Sequence, residues 1–339
     1  MRTTSSKNEP VLSRRAFVGL PLASAALWSA GVHAQAQTAA PALPKTLRLI
    51  VAYPTGGVSD VVARALGDKL ALQTGMAVVV ENKAGASGTI GMDAVAKAAP
   101  DGSVLGFSAV SPLALNPFLH PSPFDPKKDI APVIDVMVSP VLILATPAYK
   151  GADFATLIKE AKASPGAIRW ATSGQASLGH ILLAQLRAAA KVDITHVPYK
   201  GGGQQMNDAL GGQFEILSVN AGPTLAPHIR SGKLRPLAVG APARLASLPD
   251  VPTLDELGYV AANLSSRFGI FAPAGLPAPL LERYNSEFNQ ALASPEIAAK
   301  LKATDNQAVG GSAADFVRSI NREREANQRI IRAAGIKAE

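Results

Sequence analysis

Four times along this 339-residue chain, a short β-rich run ends in a loop of glycines or hydroxyl side chains, and an amphipathic helix follows. The junctions are Tyr53–Asp60, Asn82–Gly91, Thr172–His180 and Val197–Gly203. After the first, Val61, Val62, Ala65, Leu66 and Leu70 recur at helical spacing. Further strands are expected at Ala77–Glu81, Val104–Ser108, Val133–Val136, Val141–Ala145, Ile168–Ala171, Ile194–Val197, Phe214–Leu217, Leu234–Val239 and Phe268–Ala272. Strands alternating with helices predict an α/β fold of parallel sheets covered on both faces. The length suffices for two packed lobes. Helices expected at Pro277–Ala293, Pro295–Lys302 and Ser312–Ala334 have no strand between them, so they should wrap back onto one lobe.

Apolar residues make up 47% of the chain and charged residues 17%, which suits a globular protein and not a disordered one. The formal net charge is +8, part of it carried by Arg2, Lys7, Arg14 and Arg15 near the start. The other cations are scattered, with no basic run interleaved with aromatics. This is a bias toward anionic ligands and not the footprint of a nucleic-acid-binding protein. The chain has no cysteine, which excludes disulfides, thiolate metal sites and a cysteine nucleophile. His33, His120, His180, His196 and His228 show no zinc-ligand spacing. Neither a metal nor a cofactor is expected.

Residues 1–34 read as an export signal. Arg14 and Arg15 precede an apolar run from Ala16 to about Ala30, too short to span a bilayer, and Val32-His33-Ala34 fits a cleavage site. The paired arginines with Phe17 resemble a Tat signal; a Sec signal with a generous basic end is the alternative. Residues 35–44, rich in Ala, Gln and Pro, form a flexible lead-in.

Each junction has two readings. At Gly56-Gly57, the glycines let the backbone approach a ligand, and the following helix aims N–H groups and its positive dipole end at it. A plain tight turn is equally compatible. No Gly-Lys-Ser/Thr follows, so it is not a P-loop. The second loop has GxxGxxG spacing and lacks the tighter dinucleotide fingerprint. Two such loops in one lobe favour a small anion at the C-terminal ends of strands. In the third, a hydrolase would use Ser177 as nucleophile and His180 as base. The elbow pattern fails at Gln175, however, and Ser177 is also a natural helix cap. In the fourth, Tyr199 is a candidate contact and Lys200 a solvated cation.

Taken in order, these segments resemble the Bug family, the extracytoplasmic solute receptors of tripartite tricarboxylate transport systems. The resemblance rests on Tyr53–Asp60, Val80–Gly91, Pro100-Asp101-Gly102, Asn116-Pro117, Ala161–Gly166, Ser177–His180 and Val197–Gly201. It continues through Gly211-Gly212-Gln213, Pro227–Lys233, Leu248–Gly258 and Ala272–Gly275. It implies a two-lobed periplasmic-binding-protein fold (Venus flytrap, type II) with two hinge crossings, near Pro140–Leu142 and Gly240–Ala243. Residues 45–141 and 243–339 would form lobe 1 and residues 142–242 lobe 2. Departures fall at Thr55, at Ala176 where glycine is common, at Asn220 in place of an aspartate, and at Ser265-Ser266-Arg267.

The function so implied is a periplasmic, monomeric receptor, not an enzyme. It would capture a small carboxylate, a dicarboxylate or an aromatic acid, and serve a membrane transporter or a sensor protein, with no nucleic acid involved. The candidate contacts are Tyr53, Thr55, Gly56, Gly57 and Asp60 in the first loop and Gly85, Ala86, Ser87 and Gly88 in the second. Ser108, Ser111, Ser173, Ser177, Tyr199 and Asn220 lie at other strand ends. The first two loops would seat the carboxylate, Ser177 and Tyr199 would close over it, and Asn220 and Arg267 would help select it. The rivals are a secreted serine hydrolase using Ser177 and His180, and a sensory or scaffold protein with an empty cleft.

Overall fold

The computed structural model describes residues 42–200 and 202–334, with side chains to 332. The leader and all but the last three residues of the lead-in lie outside the described residues. Among the described residues, eleven strands form two sheets. The first sheet uses β1 (Thr46–Val51), β2 (Ala77–Asn82), β3 (Val104–Ala109), β4 (Ile130–Ser139), β10 (Ser266–Pro273) and β11 (Gln307–Ala308), ordered β11-β4-β10-β3-β1-β2. The second uses β5 (Val141–Ala145), β6 (Arg169–Thr172), β7 (Thr195–Pro198), β8 (Ile216–Asn220) and β9 (Arg235–Gly240), ordered β7-β6-β8-β5-β9.

Both sheets are mixed, which corrects the expectation of parallel sheets. β1 runs parallel to β2 and β3, but β10 is antiparallel to β3 and β4. β6 is parallel to β7 and β8, while β5 is antiparallel to β8 and β9. The reversed strands are those by which the chain changes sheet. Only Pro140 separates β4 from β5, so β5 enters the second sheet from the hinge side. β10 returns to the first sheet from the same side. Alternation of strand and helix cannot reveal this, because it carries no information on which strand crosses over.

Helices α1 (Val58–Thr74), α2 (Thr89–Ala96), α8 (Ala278–Ala293) and α9 (Pro295–Lys302) cover the first sheet. Leu47, Leu49, Phe107 and Ile270 of the strands meet Leu66, Tyr284, Phe288 and Leu301 of the helices. The second core joins Ile143 and Trp170 to Phe154 and Leu157 of α4 (Phe154–Ala163) and to Leu182 and Leu186 of α5 (Leu178–Ala190). Each fully buried large side chain contributes about 1.5–3 kcal/mol. Caps fix where the helices begin. Asp153 accepts the Thr156 N–H at 2.8 Å, and Ser294 caps α9 ahead of Pro295.

Two packing details depart from expectation. Residues 243–264 pack with the second lobe and not the first: Leu254 and Ala262 are buried in the second core and Leu245 packs in the cluster on its other face. Their apolar side chains follow the surface left open beside β9. The last helix, α10 (Ala313–Ala334), buries Phe316 and Ile320 against the first lobe. Its Ile331 instead joins Leu115, Leu119, Ala176 and Ile181, so its final turns touch α5 as well. Among the described residues, no helix is long and apolar enough to cross a membrane.

Candidate functional site

A cavity of about 370 Å³ lies where the two sheets face each other. Both sheets present the same kind of edge to it: the C-terminal ends of β1, β3, β6 and β8, and the opening residues Val141 of β5 and Ser266 of β10. Tyr53, Thr55, Gly56, Gly57, Val58 and Ser59 form the first-lobe wall, joined by Ser87, Ser111 and Phe268. Ser173, Ser177, Leu178 and Gly179 face them from the start of α5. The remaining wall comes from α6 (Gly202–Leu210), from β8 and from α7 (Leu225–Arg230). Among the described residues, no Lys, Arg, Asp or Glu lines the cavity. Nor, among the described residues, is any group of three or more acidic or histidine side chains arranged to hold a metal.

The first loop is held from behind by Asp60. Its carboxylate accepts the Gly56 N–H at 3.0 Å, the Asn82 amide at 2.9 Å and the Arg64 guanidinium at 2.9 Å. Asn82 also donates to the Tyr53 carbonyl at 3.0 Å. Burial pushes the Asp60 carboxyl up, but these hydrogen bonds outweigh it and hold the group below the usual carboxylate range. Asp60 is only 3% exposed and lies outside the lining, so its place is behind the loop. Gly56 has φ +83°, a conformation that a side chain would strain. Gly57 begins α1 without any side-chain cap. The first N–H groups of a helix have no partner within it, so α1 presents bare donors to the cavity wall.

The second loop reaches the cavity only through Ser87. Ala86 and Ser87 take positive φ values of 46° and 51°, and Ser87 donates across the cleft to the Gln175 carbonyl at 2.5 Å. Gly85, Ala86 and Gly88 lie outside the lining. At Gly88 a Cβ would come within 2.9 Å of the Tyr53 hydroxyl oxygen, so glycine there lets the tyrosine lie close. Tyr53 meets Phe268 edge-on, and burial pushes its phenol up to about 12.

The remaining candidates divide. Ser111, Ser173, Ser177 and Asn220 line the cavity with Tyr53, Thr55, Gly56, Gly57 and Ser87. Ser108 is fully buried and outside the lining. Tyr199 also stands outside it, donating to Asp208 at 2.7 Å, with its ring against Phe214. Its expected role over the ligand is corrected: the acid and the aromatic below it turn it into its own lobe. Arg267 is likewise committed, in an ion pair with buried Asp135. Asn220 spans the hinge. Its amide donates to the Ser139 and Pro140 carbonyls at 3.3 and 3.4 Å, and it accepts from Ser266 at 3.3 Å.

Ser177 caps α5, accepting the His180 N–H at 3.3 Å. The His180 ring takes the Ala176 N–H at 3.3 Å and stacks on His196, with 4.3 Å between centroids. Burial, with His180 and Arg187 nearby, lowers His196 to about 3, so the His196 imidazole stays neutral near pH 7. These bonds build the start of α5. Ala176 takes φ +54°, which accounts for glycine being common there in the family that the sequence resembles. Sequence reasoning missed Met206, Leu210, Leu225 and His228 in the far wall. The i, i+4 pair Met206 and Leu210, directly after a glycine-rich loop, was the available signal.

The model of the tripartite tricarboxylate transporter family receptor matches residues 62–336. The chain belongs to this family. It is 38% identical over 286 residues to protein BugT of Bordetella pertussis, covering 83% of this chain and 85% of that protein. Two solved structures are similar to this receptor at 29% identity. The periplasmic binding protein BugD has a TM-score of 0.81, and Rpa4515 of R. palustris with adipate has 0.83. Each comparison covers 87% of this chain and 99% of the other. The two-lobed fold is that of these periplasmic binding proteins.

Proposed function

We propose that this family member is a periplasmic solute receptor. It would capture a small carboxylate in the interlobe cavity by hinge closure and catalyse no reaction. The observation that carries this reading is the bare start of α1 in the wall of a cavity that no acidic side chain enters. A carboxylate there takes hydrogen bonds from backbone N–H groups and the favourable end of the helix dipole. The adipate in the Rpa4515 structure supports the ligand class. The lobes divide at Pro140 and near Leu264: residues 45–140 with 265–334, and residues 141–264. Ser87 and Gln175 bond across the gap between them, and Asn220 ties the two strands at the hinge. Closure is driven by contacts that the ligand makes better in the closed state. Residues 1–34 direct export, and the closed receptor meets a membrane transporter or a sensor protein.

Thermal unfolding of the mature protein against a panel of organic acids tests this. An acid at 100 times its Kd should add about 2.7 kcal/mol to stability. If no acid shifts the midpoint, the receptor reading fails.

A further inference from the structure

Among the described residues, Tyr53 and His228 are the titratable side chains in the cavity wall. Burial pushes the Tyr53 phenol up to about 12, so it stays neutral. Histidine is the side chain that ordinarily changes charge between about pH 5 and 8. His228 lies one helical turn after Thr224 on α7, and both line the cavity. Its carbonyl accepts the Ser231 hydroxyl and the Leu234 N–H, each at 3.1 Å, and among the described residues no partner takes its imidazole. The charged groups on the elements around α7 are matched or turned to solvent. Asp208 of α6 accepts the Tyr199 hydroxyl, Asp60 of α1 pairs with Arg64, and Lys300 of α9 pairs with Glu296. Arg230 and Lys233, on the segment of His228 itself, are exposed.

We infer that His228 makes acid capture proton-linked: its imidazole takes up a proton from solvent as a carboxylate enters the cavity, so affinity rises as pH falls from 8 to 6. The inference rests on the carboxylate-receptor reading and adds a proton to it. An anion enclosed with a histidine favours the charged imidazole, and lobes closed over the pair keep bulk water from screening it. The linkage requires a carboxylate in the cavity but not a particular seat or a particular number of carboxylates. It gives His228 a task that none of the hydroxyls and amides around it can perform, because they hold their charge state across this range.

Calorimetric titration of the mature protein tests this, with the tightest binder from a panel containing adipate, malate and benzoate. At pH 7, in two buffers of different ionisation heat, the difference in observed heat should correspond to about 0.3–1 proton taken up per acid bound. The Kd should be about tenfold tighter at pH 6 than at pH 8. The acids are largely ionised throughout, so their own titration does not produce this gain. His228→Gln should abolish both effects. His228→Lys, with its fixed charge, should bind at pH 8 as tightly as the wild type does at pH 6, and serves if the glutamine variant does not fold. Two groups outside the cavity wall also titrate in or near this range: burial pushes Asp135 up to about 6 and Glu323 up to about 7, against the pull of Arg267. A pH dependence that survives His228→Gln would belong to that pair and overturn the inference, as would wild-type binding without proton uptake. Either result leaves the receptor reading standing. Binding by no member of the panel overturns both.

Discussion

The helices α1 and α5 begin at the same cavity from equivalent strand–loop–helix junctions, yet they leave it with different chemistry. Gly57 starts α1 with no side chain to cap it, and Asp60 reaches back to fix Gly56. Ser177 starts α5 and caps it, while His180 turns to the Ala176 N–H. A side chain takes up one donor of α5, the His180 N–H, and none of α1. On this difference rests the proposal that the anion seat lies in the first lobe.

The largest effect should come from capping α1. Gly57 has φ −73° and ψ 169°, which any residue adopts, and a Cβ there meets nothing nearer than 3.6 Å. Gly57→Asp should therefore fold, gaining roughly 0.5–1 kcal/mol from the new cap. Its carboxylate would occupy the seat and repel the ligand's. Acid affinity, measured by calorimetry, should fall by about 100-fold or more.

Asp60→Asn comes next. Loss of the charged bonds to Arg64 and Gly56 should lower stability by about 1–3 kcal/mol and affinity by about tenfold as the loop loosens. The pH dependence has a definite sign. The folded-state pKa of Asp60 is depressed, so its contribution is present above the unfolded value near ~3.9 and is lost as pH falls through the folded value. Below pH ~4 the wild type should lose more stability than the variant in chemical denaturation.

Ser87→Ala removes the bond across the cleft to Gln175. Affinity should fall by roughly threefold, through a smaller closed population, with little change in stability. Ser177→Ala should show the smallest effect on binding, within about twofold, because its hydroxyl serves the helix. Its cost should appear instead as about 1 kcal/mol of stability in thermal unfolding. A Ser177→Ala variant that lost binding while keeping its stability would dissolve the contrast between the two helix starts.

Much of the architecture was legible from local pattern. Helix α9 begins at Pro295 and α4 begins after Asp153, where cap chemistry is written in consecutive residues. What escaped depends on partners distant in sequence. Arg64 lies one turn from Asp60, but nothing near Asp60 announces that Asn82, from the next strand, will close on it and draw it behind the loop. Tyr199 looked like a ligand contact, but Asp208 and Phe214 turn it away. Arg267 looked like a selector, but buried Asp135 holds it. Met206, Leu210 and Leu225 escape the sequence because they carry the same pattern as ordinary core residues. Only the meeting of the two sheets leaves them facing an open volume.

The seat at α1 is tested most directly by following backbone amides in solution. In a deuterated, ¹⁵N-labelled mature protein titrated with a binding acid, the Gly57, Val58 and Ser59 amide protons should move downfield and saturate together. The Leu178 and Gly179 amides should move less. Saturating shifts confined to α5, with α1 unchanged, would contradict the assignment of the carboxylate to the first lobe.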